Sequence, residues 1–273
     1  MTINNAAYNL LSSKHHDGSR TRIRLVMFGY AGGRINALMS LIKQLPSWIE
    51  VWGAEYPGRG IRWQSGVLNS AQPLLDDLTP GLSALSDKPL VLLGYSMGAN
   101  IAYRLGLNLH GKILGVIAAS AIPPGKRVTD WRKKTDRVLL DHLKALGGIP
   151  EEVLSNKTIM DFFLPVVRAD LECCLDLNSM LFQPLTCPIL SMYGNSDLMV
   201  SKVEALLWQK YSGGHPDLSL CNEYPGGHFF HQGIEEQIAL DIAAWLSELL
   251  NSDGSFSEIG IRMQQPDSNV LQY

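Results

Sequence analysis

The sequence predicts an α/β protein whose mostly parallel central sheet is flanked by helices, and three observations support this fold class. Short aliphatic runs recur along the chain, as is typical of strands that are buried on both faces. Helical patterns lie between several of these runs, which indicates β-α-β units. The chain has 273 residues, of which 46% are hydrophobic, so it can bury the core of one large domain.

The individual elements follow from these patterns in chain order. Strands are predicted at residues 23–28, 50–54, 90–94, 114–119, 189–193 and 218–223, and helices between them at 37–45, 71–85 and 99–110. A final helix is indicated near the end, where Ile238, Ile242 and Trp245 repeat at helical spacing. Glu235 and Glu236 precede them in the first turn, where the helix dipole favours acidic groups.

Two kinds of region interrupt the alternation. Residues from about 122 to 183 show no strand pattern but several apolar patches of helical spacing, so we expect an inserted set of helices there. The polar N-terminal segment 1–21 and the tail 251–273, which is rich in Ser, Asn, Gln and Asp, are expected to be loosely held. The main domain is therefore predicted to span residues 22–250.

Composition excludes several classes of protein. The net charge of −3 argues against a generally basic nucleic-acid binder. No apolar run approaches the roughly 18 residues that a membrane span needs, and the polar start lacks the pattern of a secretory signal. We therefore expect a cytoplasmic monomer that binds neither nucleic acid nor membranes. Its four cysteines, too few for a disulfide framework, are expected to be reduced: Cys173, Cys174, Cys187 and Cys221.

The first candidate for chemistry is Ser96, in the sequence Gly94-Tyr95-Ser96-Met97-Gly98. This G-x-S-x-G lies between an apolar strand and a helical pattern, where flanking glycines allow a tight turn that exposes the serine hydroxyl. The same turn leaves the Met97 amide at a helix N-terminus. The pattern predicts a serine nucleophile, although an ordinary tight turn would have the same residues.

A base and an acid follow in the order that such a nucleophile requires. Asp197 and His228 each lie in the loop that follows a predicted strand, so both are expected at the end of the sheet that carries Ser96. Asp197 alone could be a turn-forming residue. His228 and His231, with His215 as a distant third ligand, form only a weak metal pattern because no carboxylate accompanies them. We expect no metal.

A glycine-rich loop, Phe28-Gly29-Tyr30-Ala31-Gly32-Gly33, follows the first predicted strand. It is neither a phosphate loop nor G-x-G-x-x-G. Next to a serine nucleophile, such a loop supplies a second amide to the oxyanion hole, complementing that of Met97. Ala31 is the expected donor and Tyr30 the competing one. A plain turn between strand and helix is the alternative.

These motifs, in this order, resemble those of type II (external) thioesterases of nonribosomal peptide and polyketide synthesis. The resemblance covers residues from about 22 to 250. Tyr95 stands where the family often has His, and Gly29 where it often has Pro, and neither is expected to touch a catalytic atom. The resemblance also includes Tyr56-Pro57-Gly58-Arg59, Leu164-Pro165-Val166-Val167-Arg168-Ala169-Asp170, Gly194-Asn195-Ser196-Asp197 and Gly226-Gly227-His228-Phe229-Phe230.

The resemblance implies an α/β-hydrolase fold with a helical lid. It also implies hydrolysis of acyl thioesters from the phosphopantetheine arm of acyl or peptidyl carrier proteins, with Ser96, Asp197 and His228 as the triad and without a cofactor. A small-molecule carboxylesterase or other serine hydrolase would share the same residues. A catalytically inactive binding protein of the same fold is less expected, because all three triad residue types are present.

Three expectations concern the inserted helices. Arg168 and Asp170 are expected to form an ion pair inside the lid rather than to contact substrate. The segment 126–137 has a net charge of +4, which fits either a solvated loop or a surface that steers an acidic carrier protein, or its phosphopantetheine phosphate, toward Ser96. Apolar lid residues are expected to line an acyl chamber or to pack within the lid: Ile159, Met160, Phe162 and Phe163.

Overall fold

The computed structural model describes residues 7–12, 21–126, 129–149, 151–181 and 183–252. Within these residues seven strands form one sheet. The strands are β1 (Tyr8–Ser12), β2 (Ile23–Phe28), β3 (Ile49–Ala54), β4 (Leu90–Tyr95), β5 (Gly115–Ala119), β6 (Ile189–Gly194) and β7 (Cys221–Tyr224). The α-helices are α1 (Met39–Gln44), α2 (Ala71–Ala84), α3 (Met97–Asn108), α4 (Asp136–Leu146), α5 (Glu151–Leu154), α6 (Lys157–Ser179), α7 (Lys202–Leu206) and α8 (Glu235–Ser252).

The sheet has the strand order β1-β3-β2-β4-β5-β6-β7. Strands β2 to β7 are parallel and β1 is antiparallel to β3, so the predicted α/β class with a mostly parallel sheet is confirmed. Helices α1 and α8 cover one face, and α2 and α3 cover the other. The carboxyl ends of the parallel strands therefore share one edge. No helix in the described part of the chain is long and apolar enough to cross a bilayer.

Strand β1 corrects one expectation, because it lies in the segment expected to be loosely held. Tyr8 is buried and its hydroxyl donates a hydrogen bond to the Leu78 carbonyl at 3.0 Å. Leu10 on the same strand is 49% exposed. Burial of a few side chains and pairing with the edge of β3 hold this short strand in place. Residues 1–6 and 13–20 lie outside the described part.

The other elements agree with the predicted positions, with differences at the end of the chain. Five of the six predicted strands are found within one residue of their expected ends. The sixth begins at Cys221 rather than 218, because Pro216–Leu218 form a 3₁₀ turn that starts with proline, a favourable first helical residue. Helix α8 continues through Ser252, two residues into the expected tail. The rest of that tail, 253–273, lies outside the described residues.

The inserted helices α4, α5 and α6 lie between β5 and β6, and we refer to them together as the lid. Side-chain caps define two of their starts, since Thr135 accepts a hydrogen bond from the Val138 amide and Asn156 from the Ile159 amide. The C-terminal end of α6 is fastened to the body by Arg104 of α3. Its guanidinium donates hydrogen bonds to three carbonyls at this end, those of Leu177, Met180 and Leu181.

Candidate active site

Ser96 lies in the tight turn between β4 and α3. Its φ of 54° and ψ of −114° are strained for a side-chain-bearing residue, a conformation that costs roughly 1–3 kcal/mol and is typical of active sites. Two glycines make the turn possible. A Cβ on Gly94 would lie 2.0 Å from the Gly98 oxygen, and one on Gly98 would lie 2.2 Å from the Phe28 oxygen. Because these two glycines have no side chains, the start of α3 can contact the end of β2.

Ser96, His228 and Asp197 are brought together in one hydrogen-bonded chain. His228 Nε2 lies 3.1 Å from Ser96 Oγ, and His228 Nδ1 lies 2.9 Å from Asp197 Oδ2. The side chains of His228 and Asp197 are 6% and 0% exposed. In this arrangement an imidazole can take a proton from the serine while a carboxylate orients it, as nucleophilic catalysis by serine requires.

The loops that carry the acid and the histidine are fastened to each other. The amides of Asn195 and Ser196 donate hydrogen bonds to the carbonyls of Tyr224 and Gly226, both at 2.8 Å. A Cβ on Gly194 would lie 2.4 Å from that Gly226 oxygen, so the two backbones are in direct contact. This contact sets the distance between Asp197 and the histidine ring independently of the lid.

The backbone of His228 has its own support, which the sequence analysis missed. The Tyr95 hydroxyl donates to the His228 carbonyl at 2.5 Å, and the Ser120 hydroxyl donates to the same oxygen at 2.7 Å. Burial raises the pKa of Tyr95, which keeps the phenol a donor. Tyr95, whose departure from the family pattern we expected to be remote from catalytic atoms, thus holds a candidate catalytic residue. Its place directly before Ser96 was the available signal.

The glycine-rich loop forms a β-turn beside Ser96. The Gly33 amide donates to the Tyr30 carbonyl at 3.0 Å, and Gly32 has a φ of 73°, as a type II turn requires. In a trans peptide the N–H points opposite to the carbonyl, so the Ala31 N–H points away from the turn. Neither this amide nor that of Met97 donates to another described residue. Both amides are therefore free to donate to a bound group, and their role as oxyanion donors stays a prediction.

The lid contacts this turn through Asp170. Its carboxylate accepts a hydrogen bond from the Gly32 amide at 2.6 Å and forms two more with Arg59, at 2.5 and 2.6 Å. The expected ion pair between Arg168 and Asp170 is therefore wrong. Residues two apart on a helix face different directions, and Arg168 pairs instead with Asp136 inside the lid.

A cavity of about 230 Å³ opens beside Ser96 and His228, and the lid forms its outer wall. Of the four lid residues expected there, only Phe163 lines it. Ile159 and Phe162 face solvent and Met160 is buried elsewhere. The walls are mainly apolar and include Trp131, Leu143, Leu146, Phe163, Leu171 and Phe229.

His142 is a polar member of this wall that the sequence analysis missed. Its ring packs on Trp131 with centroids 4.5 Å apart. Burial, and then the nearby His228, lower the pKa of His142. Its spacing of three residues from the buried Leu139 on α4 was the signal that could have placed it on the inner face of the lid.

The basic segment lies next to the cavity, since it surrounds the wall residue Trp131. Arg132 and Lys133 both pair with Asp130, at 2.9 and 3.4 Å. Lys134 and Arg137 are exposed. Positive side chains therefore stand at the surface close to the mouth of the site. Arg127, in the same segment, lies outside the described residues.

Comparison with known proteins gives consistent results. The family model described as "Thioesterase domain" matches residues 23–246. The chain is 30% identical over 220 residues to the gramicidin S biosynthesis protein GrsT of Aneurinibacillus migulanus, covering 78% of this chain and 84% of that protein. It is 25% identical over 272 residues to the thioesterase PikA5 of Streptomyces venezuelae, covering 95% and 89%.

A solved structure is similar over most of its length as well. The type II thioesterase BorB from the borrelidin biosynthetic cluster aligns with a TM-score of 0.75 and 25% identity. The alignment covers 88% of this chain and 97% of BorB.

Proposed function

The chain belongs to the thioesterase family, and from this premise we propose that it hydrolyses acyl groups from the phosphopantetheine arm of acyl or peptidyl carrier proteins, with Ser96 as nucleophile. Its relatives include the gramicidin S biosynthesis protein GrsT, the thioesterase PikA5 and the type II thioesterase BorB from the borrelidin biosynthetic cluster. The observation that carries the proposal is the hydrogen-bonded chain from Ser96 through His228 to Asp197, beside an apolar cavity.

In the proposed mechanism, Ser96 Oγ attacks the thioester carbonyl carbon while His228 Nε2 accepts the hydroxyl proton. The amides of Met97 and Ala31 donate to the resulting oxyanion. The intermediate collapses, the C–S bond breaks, and the thiolate takes the proton from His228. A thiol has a pKa of about 8.5, so this leaving group needs less help from a general acid than an amine does.

The acyl-Ser96 ester is then hydrolysed. His228 takes a proton from water, the hydroxide attacks the ester carbonyl, and the proton returns to Ser96 Oγ as the carboxylic acid leaves. Asp197 holds the imidazole in the required tautomer in both half-reactions. The apolar wall beside Ser96 supports an acyl chain as the group that enters the cavity. No step requires a cofactor.

The decisive experiment follows the intact mass of an acylated carrier protein mixed with the enzyme. We expect the wild type to release the free acid and leave the phosphopantetheine thiol, while Ser96→Ala and His228→Ala lose about 10³-fold or more in kcat. Asp197→Asn should lose less than either. Faster turnover of free esters than of the carrier thioester would favour a carboxylesterase, and failure of a fluorophosphonate to label Ser96 would exclude this nucleophile.

We also propose that the exposed cations near the cavity steer the carrier protein. Lys134 and Arg137 suit a test because neither takes part in the ion pairs with Asp130. Reversing both to Glu should lower kcat/KM for an acyl-carrier protein by about 3- to 10-fold at low salt, because opposite charges accelerate encounter. The loss should shrink at high salt, where screening is stronger.

The matched control reverses Lys43 and Lys112, two exposed lysines near the amino ends of β3 and β5, at the opposite edge of the sheet. This variant should behave like the wild type. Turnover of a small acyl thioester should be unchanged in both variants. Equal losses on both substrates would indicate a damaged lid, and no loss on either would leave the segment as an ordinary solvated loop.

We further propose that the protein acts as a monomer in the cytoplasm. One chain supplies the triad candidates, the oxyanion amides and the cavity wall. Its four cysteines are all unpaired. Size-exclusion chromatography with light scattering tests the oligomeric state.

A further inference from the structure

Asp170 connects the lid helix α6 to the turn that carries the candidate oxyanion donor. One carboxylate oxygen, Oδ2, accepts hydrogen bonds from both the Gly32 amide and Arg59 Nη1, at 2.6 and 2.5 Å. The other oxygen accepts from Arg59 Nη2 at 2.6 Å. Asp170 is 1% exposed and Arg59 is 8% exposed, so this network lies out of water. Hydrogen bonds to a buried, ionised acceptor are among the strongest in proteins.

The glycine-rich loop that contains this turn is held at both ends by the segment that carries Arg59. The Tyr56 hydroxyl donates to the Gly29 carbonyl at 3.0 Å, and Arg59 Nη1 donates to the Gly33 carbonyl at 3.4 Å. These bonds fix the ends of the loop, whereas Asp170 fixes its middle. No other described residue accepts a hydrogen bond from the Gly32 amide.

The lid also packs directly on this turn. A Cβ on Gly32 would lie 2.5 Å from Val167 Cγ2, so α6 approaches the turn as closely as a glycine permits. An ion pair between Asp170 and Arg59 would by itself attach α6 to the body. The additional bond to the Gly32 amide acts on the peptide that adjoins Ala31, and attachment of the lid does not require it.

We propose that Asp170 is a positioning residue for oxyanion stabilisation: by holding the peptide between Ala31 and Gly32, it keeps the Ala31 N–H aimed at the developing oxyanion. Arg59 orients the carboxylate and compensates its charge. The inference rests on the proposed thioesterase mechanism. Since the oxyanion forms only during reaction, the contribution of Asp170 appears in kcat and not in substrate binding.

Asp170→Asn tests this role because the amide oxygen replaces only one of the two carboxylate oxygens, so at least one of the three bonds is lost. The bonds that remain go to a neutral acceptor and are weaker than those to a carboxylate. We expect kcat for a small acyl thioester to fall about 10- to 100-fold, less than or equal to the effect of removing an oxyanion donor outright. KM should stay near the wild-type value. Asp136→Asn is the control, since it makes the same change on the lid and breaks only the Arg168 pair.

A second readout separates positioning from a purely structural role. An alkyl boronic acid forms a tetrahedral adduct with Ser96 Oγ that imitates the intermediate, whereas the carboxylate product only occupies the cavity. In Asp170→Asn the affinity for the boronic acid should weaken by the same factor as kcat, with product affinity unchanged. Arg59→Lys keeps a cation beside Asp170, so kcat and boronic acid affinity should again fall by the same factor, but by less than in Asp170→Asn. This variant replaces Asp170→Asn in the test if Asp170→Asn does not fold.

Equal kcat in Asp170→Asn and Asp136→Asn would overturn the inference, as would parallel losses of boronic acid and product affinity. Failure of the proposed function itself has a different signature. In that case the wild-type protein would hydrolyse no acyl thioester, and Ser96→Ala would be indistinguishable from it.

Discussion

Introducing a single methyl group at Gly32 tests how closely the lid and the loop are fitted together. In Gly32→Ala the new Cβ would lie 2.5 Å from Val167 Cγ2, where two carbon atoms cannot coexist without movement. It would also force alanine into a φ of 73°. Val167 is 1% exposed, packs in the small lid core and also lines the cavity, so it can make room only by shifting within this core or toward the cavity.

The two penalties can be separated. The left-handed backbone should destabilise Gly32→Ala by roughly 1–2 kcal/mol, and overpacking by roughly 1–3 kcal/mol. Val167→Ala alone removes two buried methyl groups and should destabilise by about 2 kcal/mol. In the double variant the clash with Val167 is gone, whereas the close contact with Phe163, at 3.1 Å, and the backbone penalty remain. The double variant should therefore lose about 1–3 kcal/mol less free energy of unfolding than the sum of the losses in the two single variants.

Urea unfolding of the four proteins in this cycle measures the coupling, and kcat for an acyl thioester provides a second readout. Gly32→Ala should lower kcat because the turn that carries Ala31 is displaced, and Val167→Ala should restore part of it. Free energies of unfolding that add within about 0.5 kcal/mol would refute the reasoning, since they would mean that the helix and the turn yield independently.

Ala31→Pro removes the N–H of the proposed oxyanion donor at a turn position that favours proline, so the melting temperature should be nearly unchanged. We expect kcat to fall about 10²-fold with KM nearly unchanged. An unchanged kcat would instead indicate Tyr30 as the donor. Arg104→Met leaves three carbonyls at the end of α6 without donors, and urea unfolding should show a loss of about 2–4 kcal/mol. Because burial lowers the pKa of His142 in the folded state, the unfolded chain binds more protons below about pH 6.5, and the free energy of unfolding should decrease as the pH falls below this value. His142→Phe should show a smaller fall across this range, and identical pH profiles would contradict the shift.

The sequence was sufficient for the parallel strands and for the positions of Ser96, Asp197 and His228. Buried parallel strands appear as continuous apolar runs, and their carboxyl ends meet at one edge whatever the distance along the chain. Strand β1 was missed because an edge strand leaves residues such as Leu10 half exposed and has no comparable run. The catalytic roles of the three site residues remain predictions.

The support around the site was not predictable in the same way. Asp170 forms an ion pair with Arg59, which is 111 residues away in the sequence. No local sequence pattern predicts a pair at this separation. The expected pairing with Arg168 neglected helix geometry, which places neighbours three or four residues apart. The hydroxyls of Tyr95 and Ser120 donate to the His228 carbonyl only because the ends of three strands lie close together in the folded sheet. Such contacts arise from tertiary structure and leave no local signal in the sequence.

Helix α6 is attached to the body of the protein mainly through its C-terminal half. Beyond Pro165 it is anchored to the body by Asp170, by the Cys173 thiol bonded to the Leu68 carbonyl, and by Arg104 at its end. Before Pro165, whose missing N–H interrupts the helical hydrogen bonds, its exposed side chains include Phe162, at 78%. Under the proposed function, an acyl group in the cavity would contact the first half of this helix through Phe163. The second half, which is bonded to Gly32 and Arg59, would keep the loop beside Ser96 in place. Accommodation of different acyl groups and a constant reacting geometry would then depend on opposite halves of one helix.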